Sequence, residues 1–374
     1  MSIKDLVEQF SALEDPRIVG KVDHRLIDIL VIAVCAVIAC AESWDDIALY
    51  GRSKEGWLKR FLDLPNGIPS HDTFRRVFML IDPDAFERRF SAWTRTLTDE
   101  AIDREVVAID GKTVRRSFDR SRAQAPLHLV SAWASERGLT LAQRAVDGQS
   151  NEITAIPELL DALDVDGCIV TLDAMGCQKE IAARILASRA DYLLALKANH
   201  GTAFAAVQEH VEHAYLAQGA RGKPVFDAFD DSHGRLVRRR VFVCPEVASL
   251  EALQAWPGLH TVLAIETVRS VNNSGRTEAE VRYFLSSCSD DPGVLVMAIR
   301  RHWTIENNLH WVLDVTFRED DSRVRDRTAA RNLAVLRKVA LNFVAADRAT
   351  RTSVRARRKK AAWNDAYMYR LIFG

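Results

Sequence analysis

Between Cys168 and Lys197 the sequence alternates in a way that leaves few folds open. CIVTLDA (168–174) is a short β-branched run, KEIAARILASR (179–189) carries apolar residues at helical spacing, and DYLLALK (191–197) is a second apolar run. Strand, helix, strand in that order predicts a crossover unit, hence an α/β domain. The pattern begins earlier. VVAID (106–110) reads as a strand ending at Asp110 and followed by Gly111. LHLVSAWAS (127–135) and LTLAQRAV (139–146) flank Glu136-Arg137-Gly138, which predicts a hairpin. A helix is expected at about 155–163, where Pro157 is tolerable only in the first turn. Hairpin and crossover together make the sheet mixed.

The flanking segments read differently. Residues 1 to about 100 are helical in pattern. The apolar run Ile29–Ala41 would rise only ~20 Å as a helix, short of the ~30 Å bilayer core, so a buried core helix is expected and no membrane partner. A second helix is expected from Ser70, capped by Ser70 or Asp72, with Phe74, Val77, Phe78 and Ile81 on one face and Arg75 and Arg76 on the other. A third, DAFERRFSAWTRTL, has Phe86, Phe90 and Trp93 as its stripe. From about 200 to 290, four strand-like runs follow a helix at 202–217, with Ser232-His233-Gly234 as a turn between two of them. This β-rich stretch interrupts the α/β pattern and reads as an insertion. Helices return from Val294, one carrying IRRHWTIENNLHWVL and another spanning about 328–346. The expected domains are therefore 1–100, helical; 101–347, α/β with an insertion at about 200–290; and a basic helical tail, 348–374.

Charge supports a nucleic-acid partner only when it is located. Across 374 residues, 51 basic and 51 acidic side chains cancel, and 48% hydrophobic with 27% charged residues is the composition of an ordinary globular protein. Yet the tail from Arg348 to Arg370 holds Arg348, Arg351, Arg355, Arg357, Arg358, Lys359, Lys360 and Arg370 against Asp365. Such a cluster is either a solvated helix or a phosphate-contacting surface. The six cysteines are scattered with no C-x-x-C pair, and MSIKDLVEQF lacks the order of a signal peptide; both fit a reduced, cytoplasmic setting.

Two acids stand out. Asp110 and Asp173 each close a strand-like run, and open α/β sheets build their sites at the C-terminal ends of strands. If those strands are neighbours the carboxylates converge, and a hard cation, Mg²⁺ or Mn²⁺, would relieve their repulsion. Taken singly, such an acid is more often a turn residue. Glu306 is the best third acid. At helical spacing His302, Trp303, Leu309 and His310 surround it, an aromatic and apolar face on which a carboxylate needs a partner or a metal. A salt bridge to Arg300 or Arg301 is the structural alternative. His302, Glu306 and His310 also invite a zinc reading, but the spacing is not H-E-x-x-H. No G-x-S-x-G elbow, nucleotide-binding glycine loop or dinucleotide fingerprint is present. Cys177, near Asp173 without a nearby His, reads as an inert core thiol.

These residues sit in blocks that are together recognisable. AIDGKTVRRS (108–117), HLVSAWAS (128–135), SNEITAIPELLDAL (150–163), TLDAMGCQKEIA (171–182), DYLLALKANHG (191–201) and IRRHWTIENNLHWVLDVTFRED (299–320) resemble insertion-sequence transposases of the group that includes the H-repeat-associated proteins. KVDHRLIDILVIAVCAVIACAESWDDI (21–47) and NGIPSHDTFRRVF (66–78) resemble that family's associated N-terminal domain. The resemblance implies a ribonuclease-H-like core and an Asp-Asp-Glu set made of Asp110, Asp173 and Glu306. One departure is visible. Where the wider superfamily has Tyr, Arg, Glu and Lys, this chain has Ile299, His302, Glu306 and Leu313, although Trp303 and Ile305 fit the pattern.

What the resemblance implies for function follows. Two Mg²⁺ (or Mn²⁺) ions would support cleavage with water as nucleophile and strand transfer with a DNA 3′-hydroxyl. The partners would be double-stranded DNA, as element ends and target, and further copies of the chain in a dimer or larger assembly on DNA. The protein would be cytoplasmic and nucleoid-associated when bound. Lys112, Arg115 and Arg116 are candidate phosphate contacts near the acids. Lys197, Arg300, Arg301 and His302 are others, with Arg357, Arg358 and Lys359 from the tail. A DNA-binding transposase relic without activity, and a nuclease without strand transfer, are the alternatives.

Overall fold

The computed structural model describes the chain apart from residues 19, 99–103, 147–150, 218–221, 233–234, 272–276 and 290. It divides into two compact units. One comprises Met1–Ala101, Gly111–Leu163 and Ile305–Gly374; the other comprises Ile102–Asp110 and Asp164–Thr304. These units cut across the segment order read from the sequence, because the N- and C-terminal helices share one unit with the hairpin.

The first unit opens with helices α1 (Ile3–Phe10), α2 (Leu26–Ile38), α3 (Trp44–Ser53), α4 (Glu55–Leu58), α5 (His71–Leu80) and α6 (Pro83–Arg95). The apolar run folds as the core helix α2, which stops at Ile38; Cys40, at φ +75°, turns the chain away. Asp28 is buried on α2 and is held by Arg25 at 2.8 Å, the pairing a buried carboxylate requires. Helix α5 begins as expected: Ser70 Oγ accepts from the Thr73 amide at 3.2 Å, and Phe74, Val77, Phe78 and Ile81 are buried. Phe86, Phe90 and Trp93 of α6 are also buried. The last part of strand β1 (Val106–Val114) belongs here, with β2 (Leu127–Ala134), β3 (Leu139–Val146) and α7 (Glu152–Asp161). The sheet order within this unit is β3-β2-β1, and β2 pairs antiparallel with β3. Gly138 takes φ +68° in their turn.

Two expectations shift. β1 does not end at Asp110 but continues through Gly111 to Val114. Helix α7 starts earlier than expected, because the Asn151 side chain caps it by accepting from the Ile153 amide at 3.1 Å. Pro157 consequently lies inside the helix, not in its first turn.

The second unit contains the start of β1, β4 (Ile169–Leu172), α8 (Lys179–Ala187), β5 (Asp191–Leu196), α9 (Gly201–Val211), β6 (Phe226–Ser232), β7 (Arg235–Cys244), β8 (Thr261–Val271), β9 (Thr277–Ser286) and α10 (Pro292–His302). Its sheet order is β1-β4-β5-β9-β8-β7-β6. β1, β4 and β5 are parallel, with Ile169 beside both Val106 and Asp191. β9 joins β5 antiparallel, Leu193 opposite Ser286, so the β-rich insertion extends the sheet. Val106, Ile169, Leu193, Leu263 and Phe284 pack with Leu295, Ala298 and Ile299 of α10 as its core. The expected turn at Ser232-His233-Gly234 falls largely on 233 and 234, outside the described residues.

The chain then returns to the first unit. The expected helix through Glu306 changes form: α10 ends at His302 with a turn at Trp303, and Ile305–His310 and Val312–Thr316 carry the chain on as π-helix. Helix α11 (Arg327–Ala346) follows and packs on α2, α5, α6 and β3. The tail is two helices, α12 (Val354–Trp363) and α13 (Asp365–Phe373), with Asn364 capping the second. Strand order 3-2-1-4-5 with parallel β1, β4 and β5 gives the ribonuclease-H-like core, in an α/β protein with a helical N-terminal region. Among the described residues, no helix is long and apolar enough to cross a membrane.

Candidate active site

In the second unit, β1 and β4 are in parallel register with Ile109 beside Leu172, and the next residue of each is an acid, Asp110 and Asp173. Neighbouring strands lie ~4.8 Å apart, and paired positions of parallel strands face the same way. The two acids therefore follow directly on one paired level of the sheet. The chain leaves β4 at Asp173 in a side-chain turn: Oδ1 accepts from the amides of Met175 at 2.9 Å and Gly176 at 3.3 Å. Asp173 lines a cleft of about 440 Å³ with Lys197, Phe204, Tyr283, His302 and Trp303. Nearby, the Cys177 thiol is buried and pushed up to about 12 by that burial, as an unreactive core thiol is.

Glu306 belongs to the first unit and sits in the π-helical turn Ile305–His310. It is exposed, while Ile305 and Leu309 are buried, so its expected place on a buried face is corrected. The physical reason is the turn itself. A π turn closes i→i+5 bonds, and residues four apart no longer form the stripe of an α-helix. The zinc reading loses its geometry for the same reason. His302 bonds instead to Thr171 Oγ1 through Nδ1 at 2.8 Å, and burial pushes its pKa down to about 4. His310 is pushed down to about 3, by burial first and then by Lys338 and Lys112.

Among the described residues, no group of three or more His, Cys, Asp or Glu side chains is gathered to hold an ion. The donor chemistry still fits a hard divalent cation. Asp110 and Asp173, each one residue past the paired Ile109 and Leu172, offer carboxylate oxygens, which suit Mg²⁺ or Mn²⁺ and suit zinc poorly.

The basic residues named from the sequence separate into two groups. Lys112 departs most clearly from a phosphate contact. Its ammonium is largely buried, 2.6 Å from Asp314, 2.7 Å from Glu319 and 3.9 Å from Asp320. Burial works to lower its pKa, but these carboxylates raise it. Burial in turn works to raise Glu319, yet Lys112, Arg337 and Lys338 hold it down at about 2. Arg358 is also structural: it is buried, donates to the carbonyls of Val37 and Thr316, and lies 3.8 Å over the Phe317 ring. Arg357 is spent on the carbonyls of Thr350 and Val344 at 3.1 and 3.0 Å. In the other group, Lys197, Arg300 and Lys359 are exposed, and Arg301 is half-buried. Arg115 and Arg116 are exposed too, 3.3 Å from Asp320 and 3.6 Å from Asp321.

Sequence reasoning missed one arrangement around Gly111 in the first unit. His128 Nε2 lies 2.7 Å from Glu152 Oε1, and Thr113 Oγ1 lies 2.8 Å from His128 Nδ1. Gly111 makes room for it: a Cβ there would fall 2.0 Å from Glu152 Oε1 and 2.7 Å from His128 Nε2. A glycine inside a strand is the one signal that could have announced this close approach.

Comparison with known proteins names the family. The model of the Transposase DDE domain matches residues 101–343, and a DDE_Tnp_1-associated domain matches residues 7–94. The chain is 41% identical to "Putative transposase YncI" of Escherichia coli O157:H7, over 100% of this chain and 95% of the relative. It is 39% identical to "H repeat-associated putative transposase YhhI" of Escherichia coli K12, over 100% and 99%. A solved piggyBac transposase synaptic complex with hairpin DNA is similar at 13% identity and a TM-score of 0.43, over 99% of this chain and 76% of that one. A family model spanning most of the chain, preceded by its associated domain and joined by relatives matched from end to end, makes this protein a DNA transposase of the DDE family.

Proposed function

We propose that this transposase cuts and joins DNA with Asp110, Asp173 and Glu306 as its metal-holding acids. The observation that supports this most is that Asp110 and Asp173 each directly follow the last paired position, Ile109 beside Leu172, of the parallel neighbours β1 and β4. Transposases of the DDE family generally use divalent metal ions. When bound, two Mg²⁺ ions supply an activated nucleophile on one side of the phosphodiester and charge stabilisation of the leaving oxygen on the other. The chain's own contribution is placement. Asp110 is carried by the strand, Asp173 is fixed by the Met175 and Gly176 amides, and Glu306 is presented by an exposed π turn. Lys197, exposed just past β5 and lining the cleft with Asp173, is our phosphate contact beside the acids, a reading its exposure and charge support. Arg115, Arg116 and Lys359 add exposed positive charge. Strand transfer of a mobile element handles two DNA ends, so the working assembly on double-stranded DNA is a dimer or larger.

The test is a plasmid carrying the DNA that flanks the gene, incubated with purified protein and Mg²⁺. Nicked and joined products are expected, chelation should stop both, and Asp173→Ala should lower both at least ~100-fold while DNA binding persists. Wild-type protein inert on its own terminal DNA with Mg²⁺ and with Mn²⁺ would sink this reading. Cleavage without joining would reduce it to a nuclease.

A further inference from the structure

The second unit contains another basic cavity, which neither the three acids nor the tail explains. It has a volume of about 470 Å³ and lies between the face of β7, β8 and β9 and helix α10. Four arginines line it: Arg239, Arg269, Arg282 and Arg300. Strand register accounts for three of them. Val241 lies opposite Ile265, and Ile265 opposite Arg282, which puts Arg282 on the cavity face. Alternation along β7 and β8 then brings Arg239 and Arg269 to that same face. Arg300 arrives from α10.

The arginines are only partly answered within the protein. Arg239 lies 3.8 Å from Asp230, and Arg282 lies 3.9 Å from Glu280, both outside hydrogen-bonding distance. The buried Arg282 Nε has no hydrogen-bond partner. Thr267 shares the face, between Ile265 and Arg269, and its buried hydroxyl is also without a partner. Unanswered buried donors call for a ligand that accepts hydrogen bonds. Two guanidiniums lie over aromatic rings, Arg282 at 5.4 Å from the Trp303 ring centre and Arg300 at 5.1 Å from that of Phe226. Stacking of this kind fixes the fork and leaves its edge to bond an anion. Planar forks in a concave, partly apolar site suit a tetrahedral oxyanion bound through paired N–H donors.

We propose that this groove is a second DNA-contacting site, in which the four arginines grip a backbone phosphodiester next to the Asp173 cleft, with which the groove shares Arg282 and Trp303. The inference rests on the DNA partner assigned above, and duplex or unpaired strand are two sources of the same phosphate. The test measures binding of the full chain to a fluorescent duplex and to a fluorescent single strand as salt is raised. Arg269→Gln combined with Arg300→Gln should lower affinity at least tenfold at low salt. It should also flatten the slope of log K against log salt by ~0.9 per lost duplex contact, or ~0.7 per single-strand contact. Arg88→Gln, an exposed arginine that does not line the groove, should leave the slope unchanged. If the double variant melts early, Arg269→Gln alone carries the comparison. A loss confined to the single strand assigns the groove to unpaired DNA. A groove variant with the wild-type slope, or an equal loss in Arg88→Gln, overturns the groove while cleavage by the wild type leaves the transposase site standing. A wild type that neither binds nor cuts DNA overturns both.

Discussion

Lys112 shows what one residue can conceal. Beside Asp110-Gly111 and in front of two arginines, it reads as a cation waiting for phosphate. Its true partners, Asp314, Glu319 and Asp320, lie some two hundred positions further along, and no local pattern announces them. Removing it leaves Glu319 buried with its closest cation gone. Lys112→Met is expected to destabilise the fold by ~3–5 kcal/mol, read from urea unfolding. A loss below ~1 kcal/mol would mean that Arg337 and Lys338 suffice for Glu319. Gly111 makes a companion case. Gly111→Ala should drive Glu152 off His128, and the lost contact should appear as a shifted His128 ring resonance. An unchanged resonance would show that the pocket yields without breaking the pair.

At the scale of elements, legibility followed locality. Helix α5 could be read nearly whole because its cap and its apolar stripe are both within eleven residues of sequence. Ser70→Ala should cost about 1 kcal/mol of stability by leaving the Thr73 amide without its acceptor, and a thermal melt indistinguishable from wild type would refute the cap's contribution. The crossover unit β4-α8-β5 was equally plain, since parallel strands buried on both faces read as continuous apolar runs. Glu306 was misplaced for the opposite reason. Its neighbours fit an α-helical stripe, but α10 ends at His302 and the chain continues in π turns, a choice made by packing rather than by spacing. Pro157 erred similarly, because the Asn151 cap lengthened α7 at its start.

Buried titratable groups give the whole molecule a pH signature. Burial pushes His302 down to about 4 and His310 to about 3, below the ordinary 6.5, so the unfolded chain takes up protons first as pH falls. Their contribution is complete above pH ~6.5 and is lost on acidification toward ~4, at up to ~1.4 kcal/mol per pH unit for each group. Glu319, held at about 2 against an ordinary 4.5, adds a second loss as pH falls from ~4.5 to ~2. Urea midpoints should therefore drop between pH 7.5 and 5, and His302→Gln with His310→Gln should flatten that drop. A midpoint that does not move over this range would contradict the burial argument.

The sequence by itself determined most strands and helices and the parallel crossover, and it singled out Asp110 and Asp173, because periodicity and caps act over a few neighbours. The family resemblance then joined Glu306 to those acids and supplied the chemistry. Tertiary structure alone decided which charges face inward. It turned Lys112 and Arg358 from expected phosphate contacts into internal anchors, brought Arg239, Arg269, Arg282 and Arg300 around one groove, and set Gly111 against Glu152 and His128. The reason is that an ion pair or an unpartnered donor depends on distance in space and on local desolvation, and neither is a property of a residue and its immediate neighbours.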